Sequence, residues 1–170
     1  MSGETNPSSV TRPLRVLFVD DCHDDVRLSI RVLAKAGYEI HKHVVETPEQ
    51  FAQALSAGEY DLILCDYRLP GWSGADVLAM VRDSGRELPV VMVTGTLGEE
   101  TAVEMIKLGA ADFVLKQRLV RLPLAIERAL REKQIREERN QAEARLPTLR
   151  SHPGVLNRCH RDPHARGALQ

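Results

Sequence analysis

Short apolar segments alternate with segments of helical periodicity along most of this chain, and that alternation limits the folds open to it. The apolar segments are rich in β-branched residues, as strands are, and each precedes a stretch whose apolar residues recur at helical spacing. Continuous apolar strands are typical of parallel sheets buried on both faces. The sequence therefore predicts an α/β fold, a five-stranded parallel sheet that is doubly wound in (βα)5 order. The predicted strands are residues 14–20, 39–45, 61–66, 89–95 and 112–116.

The fifth predicted helix continues past the end of this pattern. It begins near Leu119, and its apolar stripe, which includes Leu122 and Ile126, fades after Ile135. The stretch that follows is charged nearly all round, and the last residues combine Pro, Gly, His and Arg without periodicity. The predicted organisation is a disordered tail (1–13), one domain (14–130), a charged helical extension (131–146) and a disordered tail (147–170).

Charge is distributed unevenly and bears on the partners. Residues 1–117 carry a net charge of −7 and residues 118–170 a net charge of +6. The basic charges alternate with glutamates and lack interleaved aromatic residues, which indicates a solvated helix face and no nucleic-acid partner. No apolar run approaches the roughly 20 residues of a membrane helix, and the N-terminus lacks the features of a signal peptide. We therefore expect a cytoplasmic protein with no membrane partner.

Polar residues end four of the predicted strands. They are Asp20 (with Asp21 next to it), Asp66, Thr94 and Lys116. The carboxyl ends of parallel strands meet at one edge of the sheet, where such folds bind ligands. Clustered carboxylates repel one another and need a cation, and their hard oxygens suit Mg²⁺. A carboxylate beside Mg²⁺ can attack phosphorus, with an ammonium and a hydroxyl available to the phosphoryl oxygens, so we expect Asp66 to be phosphorylated.

The same residues carry a resemblance to a known family. "FVDD", "DYRLPGWSG", "VMVTGT" and "ADFVLK" hold an acidic pair, an aspartate with its loop, a switch threonine and a lysine, in that order along the chain. Over about residues 14–130 the chain resembles a response-regulator receiver domain (CheY-like), the phosphoacceptor module of two-component signalling. The resemblance implies a flavodoxin-like receiver fold, here with an extended C-terminal helix.

The resemblance also implies roles for the carboxylates. Asp66 would accept a phosphoryl group from a histidine kinase or a phosphotransfer protein. Asp20 and Asp21 would hold Mg²⁺, directly or through water, and Asp66 and the backbone carbonyl of Arg68 would complete the metal site. The module would be a signalling domain and not an enzyme, apart from catalysis of its own phosphorylation and dephosphorylation.

Further implied roles belong to the switch. Lys116 and Thr94 would bind phosphoryl oxygens, and Phe113 would turn inward with Thr94, altering the surface of the fourth and fifth helices. A homodimer through that surface would then depend on phosphorylation. One departure is Gln117, which stands where the family often has a proline after the lysine, so a trans peptide bond is expected there.

Two other functions stay open at this stage. One is a receiver-like scaffold that binds partners without being phosphorylated. The other is a phosphatase of the haloacid-dehalogenase type, although its nucleophile lies in an Asp-x-Asp at the end of the first strand, where this chain has adjacent Asp20 and Asp21. Trp72 is expected in an exposed loop after Asp66, as a partner contact or as simple packing.

Overall fold

The computed structural model describes residues 11–95 and 99–145, which fold around one parallel sheet. The strands are β1 (Arg12–Val19), β2 (Tyr38–Val45), β3 (Leu62–Cys65), β4 (Arg68–Leu69), β5 (Trp72–Ser73), β6 (Val90–Thr94) and β7 (Asp112–Leu115). The α-helices are α1 (His23–Lys35), α2 (Pro48–Ala57), α3 (Gly74–Asp83), α4 (Glu99–Lys107) and α5 (Leu122–Arg145).

The main sheet has the strand order β2-β1-β3-β6-β7, and all its pairings are parallel. This confirms the predicted five-stranded α/β fold. β1 begins at Arg12, so Arg12 and Pro13 belong to a strand and not to the predicted tail. Thr11, the residue before β1, is described. Residues 1–10 of that tail and the predicted tail 147–170 lie outside the described residues.

Each face of the sheet carries its own apolar core. Alternate residues of β1 and β3 point to opposite faces: Leu17 and Ile63 pack with α2, α3 and α4, whereas Val16 and Leu62 pack with α1 and α5. All four side chains are fully buried. Coverage of both faces explains why these strands read as continuous apolar runs.

The chain enters α5 through a 3-10 helix at Lys116–Arg121, where the sequence predicted α-helix from Leu119. The difference has a simple cause, because Pro123 has no amide hydrogen to donate to the Leu119 carbonyl, as a regular α-helix would require. α5 buries Leu122 and Ile126 against the sheet, as the apolar stripe predicted, whereas Ile135, the last residue of that stripe, is exposed. In the described residues, no helix has the length and apolar character needed to cross a membrane.

Candidate functional site

The register of β1 and β3 brings Asp20 and Asp66 side by side. Val19 and Cys65 are paired across these strands, and the Asp66 amide donates a 2.9 Å hydrogen bond to the Val19 carbonyl. Asp20 directly follows Val19 and Asp66 directly follows Cys65, so both aspartates lie at the carboxyl edge of the sheet, and both are buried. Because β3 is the central strand, Asp66 lies in the middle of that edge.

Asp21 completes a group of three carboxylates with Asp20 and Asp66. One ligand oxygen of each lies within 4.8 Å of the others, and Asp21 is exposed at the rim. Backbone amides hold one oxygen of each buried carboxylate: Cys22 donates to Asp20 Oδ1 at 2.7 Å and Arg68 to Asp66 Oδ1 at 3.2 Å. Burial raises the pKa of Asp20 to about 6, so this charge is poorly compensated by the protein alone. A hard cation such as Mg²⁺ fits this all-oxygen set.

Lys116, the residue after β7, reaches into this group. Its Nζ lies 2.6 Å from Asp66 Oδ2 and 3.9 Å from Asp20 Oδ2. Burial by itself lowers the pKa of Lys116, but its hydrogen bonds to carboxylates and their negative charges outweigh burial and raise the pKa overall. Lys116 is therefore charged at neutral pH and aimed at Asp66.

Asp25 also belongs to the site, and sequence reasoning missed it. The Lys116 Nζ lies 2.5 Å from Asp25 Oδ2, as close as it lies to Asp66. Asp25 is in the first turn of α1, which begins at His23, shortly after the end of β1. The run "DDCHDD" could have indicated that further carboxylates lie near the site, because the helix that follows a strand in this fold begins at the edge where the strand ends.

Thr94 ends β6, the strand next to β3, as predicted. The residue is 1% exposed, and its hydroxyl finds no hydrogen-bond partner among the described residues. Buried hydroxyls nearly always have a partner, so we expect water or a ligand oxygen to bind this one. Phe113 lies on β7, pairs with Met92 across β6 and is partly buried against the core of α2, α3 and α4.

The loop after Asp66 forms a small antiparallel ribbon, β4 and β5, that the sequence did not predict. Pro70 and Gly71 close it, and Gly71 has a φ of +80°, which a type II turn requires at its third position. Trp72 was expected in an exposed loop, and this was wrong. It is buried, its ring packs on Phe51, and its indole donates to the Glu46 carbonyl at 3.2 Å, so packing accounts for it.

The structure thus brings together all four charged site residues predicted from sequence, with Thr94 on the neighbouring strand. Arg68 lies in β4, and its amide faces Asp66. Asp20, Asp21, Asp66 and Lys116 form one continuous polar group with Asp25. Such a group can bind a divalent cation and orient a phosphoryl donor against a single carboxylate.

Comparison with known proteins shows the family. A family model described as the response regulator receiver domain matches residues 16–127. The regulatory protein AtoC of Escherichia coli (strain K12) is 30% identical over 154 residues, which is 85% of this chain and 33% of AtoC. The regulatory protein LuxO of Vibrio cholerae is 37% identical over 78 residues, which is 46% of this chain and 17% of LuxO. The matches therefore span less than half of these relatives.

A solved structure shows the same fold. The signal receiver domain of a LuxO repressor protein from Vibrio parahaemolyticus is 28% identical and superposes with a TM-score of 0.66. The superposition covers 74% of this chain and 96% of that domain.

Proposed function

Because the chain belongs to the response regulator receiver domain family, we propose that residues 14–130 act as a phosphorylation switch in two-component signalling. Asp66 accepts a phosphoryl group from a histidine kinase or a phosphotransfer protein. The observation that carries this proposal is the 2.6 Å contact between Lys116 Nζ and Asp66 Oδ2, beside the group of three carboxylates. Phosphoryl transfer depends on such positioning and charge neutralisation more than on acid–base work.

In the proposed reaction a carboxylate oxygen of Asp66 attacks the phosphorus of the donor. A phosphorus–oxygen bond forms, the bond from phosphorus to the donor imidazole breaks, and Asp66 becomes an acyl phosphate. The Arg68 amide and the Lys116 ammonium hold the attacking carboxylate in orientation. Lys116 and the buried Thr94 hydroxyl, which has no partner among the described residues, then each donate to a phosphoryl oxygen.

Mg²⁺ is the proposed cofactor of the same site. Asp20, Asp21, Asp66 and the backbone carbonyl of Arg68 would hold it, and when bound it would withdraw negative charge from the phosphoryl oxygens. The raised pKa of Asp20 supports this assignment, because that carboxylate lacks sufficient compensation from the protein's own cations.

The proposed output is a change of surface. Thr94 moves toward the phosphoryl group, Phe113 turns inward, and the face formed by α4, β7 and α5 changes its partners. A homodimer strengthened by phosphorylation uses that face. The charged extension 131–146 aligns the two copies and adds little to the free energy of dimerisation. We propose a cytoplasmic signalling domain that binds neither nucleic acid nor membrane and catalyses nothing beyond its own phosphorylation and dephosphorylation.

The two alternative functions are not favoured. A dehalogenase-type phosphatase would have its nucleophile in the first strand's motif, whereas the carboxylate in contact with Lys116 here is Asp66 after β3. A scaffold that is never phosphorylated does not account for a lysine, three carboxylates and a buried hydroxyl at one edge of the sheet.

The test is phosphorylation of the purified chain by acetyl phosphate with Mg²⁺, followed by intact mass spectrometry. The wild type should gain one phosphoryl group, and Asp66→Asn should gain none. Asp83→Asn is the control, because it removes an equally charged but exposed side chain of α3 and should be labelled at the wild-type rate. Normal labelling of Asp66→Asn would contradict the assignment.

A further inference from the structure

The Lys116 ammonium is shared between two carboxylates that come from different parts of the chain. Asp66 Oδ2 lies 2.6 Å from Nζ and Asp25 Oδ2 lies 2.5 Å from it, whereas Asp20 Oδ2 is more distant at 3.9 Å. An ammonium has three hydrogens to donate. Two of them are committed to Asp25 and Asp66, and the third is left for another acceptor.

From this geometry we infer that Asp25 is a positioning residue, which fixes the Lys116 ammonium beside Asp66 and keeps it there while Asp66 is phosphorylated. The inference deepens the proposed function and rests on it. Asp25 is not placed to react or to bind the cation, because it is not one of the three carboxylates whose ligand oxygens lie within 4.8 Å of one another. It acts through Lys116.

The physical need for such an anchor comes from the lysine itself. A lysine side chain has four rotatable bonds and loses much of its conformational entropy when it is held in one geometry. If Asp66 were its only close partner, phosphorylation would turn that carboxylate into an acyl phosphate, and the ammonium would lose its fixed partner during the step that needs it. Asp25 on α1 keeps its contact whether or not Asp66 is modified.

The location of Asp25 supports a lasting contact. It lies in the first turn of α1, where a negative charge is favoured by the helix dipole, and its side chain is only 31% exposed. Its neighbour Asp24 is in the same turn with the same charge, but its side chain is 84% exposed and pairs with Arg27 at 3.2 Å. Asp24 therefore offers a control that differs from Asp25 chiefly in the contact with Lys116.

The experiment measures the initial rate of Asp66 phosphorylation by acetyl phosphate at saturating Mg²⁺. The variants are Asp25→Asn and Asp24→Asn, each made in the wild type and in Lys116→Ala. An ion pair that is partly shielded from solvent is worth about 1 kcal/mol, so Asp25→Asn should slow the wild type about fivefold. Asp24→Asn should stay within about twofold of the wild type, since an exposed pair contributes little.

The Lys116→Ala background separates positioning from a general structural effect. If Asp25 acts only through the lysine, Asp25→Asn has no further effect once Lys116 is absent. An equal slowing in both backgrounds, or equal rates for Asp25→Asn and Asp24→Asn, would overturn the inference. Thermal melting of each variant checks that the fold is retained, and Asp25→Glu, which restores the charge, should recover part of the rate.

A second measurement does not depend on phosphorylation. With ¹⁵N-labelled lysine, the Lys116 ammonium should give an observable NMR signal, because its two hydrogen bonds slow exchange with water. Asp25→Asn should accelerate that exchange or remove the signal, and Asp24→Asn should not. If the wild type is not phosphorylated at all, the proposed function fails, and this signal still decides whether Asp25 fixes Lys116. An unchanged signal in Asp25→Asn overturns the inference in either case.

Discussion

Val19 and Cys65 are direct partners across β1 and β3, and this pairing is what sets Asp20 beside Asp66. A slip of one residue in that register would turn one of the two carboxylates toward the opposite face of the sheet. The two apolar cores hold the register, because alternate residues of both strands are fully buried on both faces. The position of Asp20 relative to Asp66 is therefore set by the sheet.

Mg²⁺ should stabilise the unphosphorylated protein. A ligand that binds only the folded state adds about 2.7 kcal/mol at a concentration 100 times its Kd, which corresponds to roughly 5–10 °C in Tm for a domain of this size. Asp21→Ala should lose most of this gain, while Asp24→Ala should keep it. The measurement is thermal unfolding with and without Mg²⁺. A Tm that ignores the metal, in wild type and Asp21→Ala alike, would speak against the metal site.

Without metal, Asp20 should make stability depend on pH. Its pKa is raised to about 6 in the fold, mainly by burial, against about 3.9 in an unfolded chain. The folded state therefore binds more protons between these values, and its contribution to stability falls as the pH rises from about 4 to about 6. Asp20→Asn should be more stable than wild type by about 2 kcal/mol at pH 7 and no more stable at pH 4. Urea unfolding in the presence of a chelator measures both, and an equal difference at the two pH values would refute the prediction.

Trp72 should matter for stability and not for recognition. Trp72→Ala should lower the free energy of unfolding by about 3–5 kcal/mol, because a large ring packed on Phe51 is removed. Trp72→Phe should cost about 1 kcal/mol through the lost hydrogen bond to the Glu46 carbonyl, and should leave the rate of phosphorylation unchanged. Val120→Ala, at an exposed position, should change stability by less than about 0.5 kcal/mol. Chemical denaturation compares the three variants, and a small effect of Trp72→Ala on the free energy of unfolding would contradict the prediction.

Dimerisation after phosphorylation should depend on α4. Ile106 is 45% exposed and lines the same surface depression as Ala129 and Lys133 of α5, whereas Leu28 on α1 is 43% exposed and lies on the other face of the sheet. Ile106→Glu should weaken the phosphorylated dimer at least about tenfold, since a buried unpaired charge costs more than 1.4 kcal/mol. Leu28→Glu should not. Sedimentation with and without phosphorylation decides, and a dimer that is insensitive to both Ile106→Glu and phosphorylation would exclude this face.

Much of the fold and of the site could be predicted because both depend on local sequence pattern. Buried parallel strands leave continuous apolar runs, and the residue that ends each run lies at a known edge of the sheet. Asp20, Asp66, Thr94 and Lys116 could therefore be placed at that edge from the sequence alone. The start of α5 was placed too early because the spacing of apolar residues does not show that Pro123 lacks an amide hydrogen.

The features that sequence could not supply depend on contacts between distant residues. Asp25 is one of four aspartates within six residues, and only the position of the Lys116 side chain distinguishes it from Asp24. Trp72 follows a Pro-Gly turn, which predicts exposure, yet the ribbon folds back so that its ring meets Phe51 from α2. In both places the partner lies more than 20 residues away, beyond the reach of periodicity.

The buried hydroxyl of Thr94 has a consequence for how this protein would respond to selection for thermal robustness. Among the described residues this hydroxyl has no partner, a buried polar group left so costs about 1–3 kcal/mol, and valine has a similar shape without the polar atom. Screens that reward folding alone should therefore recover valine at this position, and the gain should come with a loss of signalling. Residue 94 is thus a place where stability and responsiveness are opposed, and the balance between them can be tuned by a single oxygen atom.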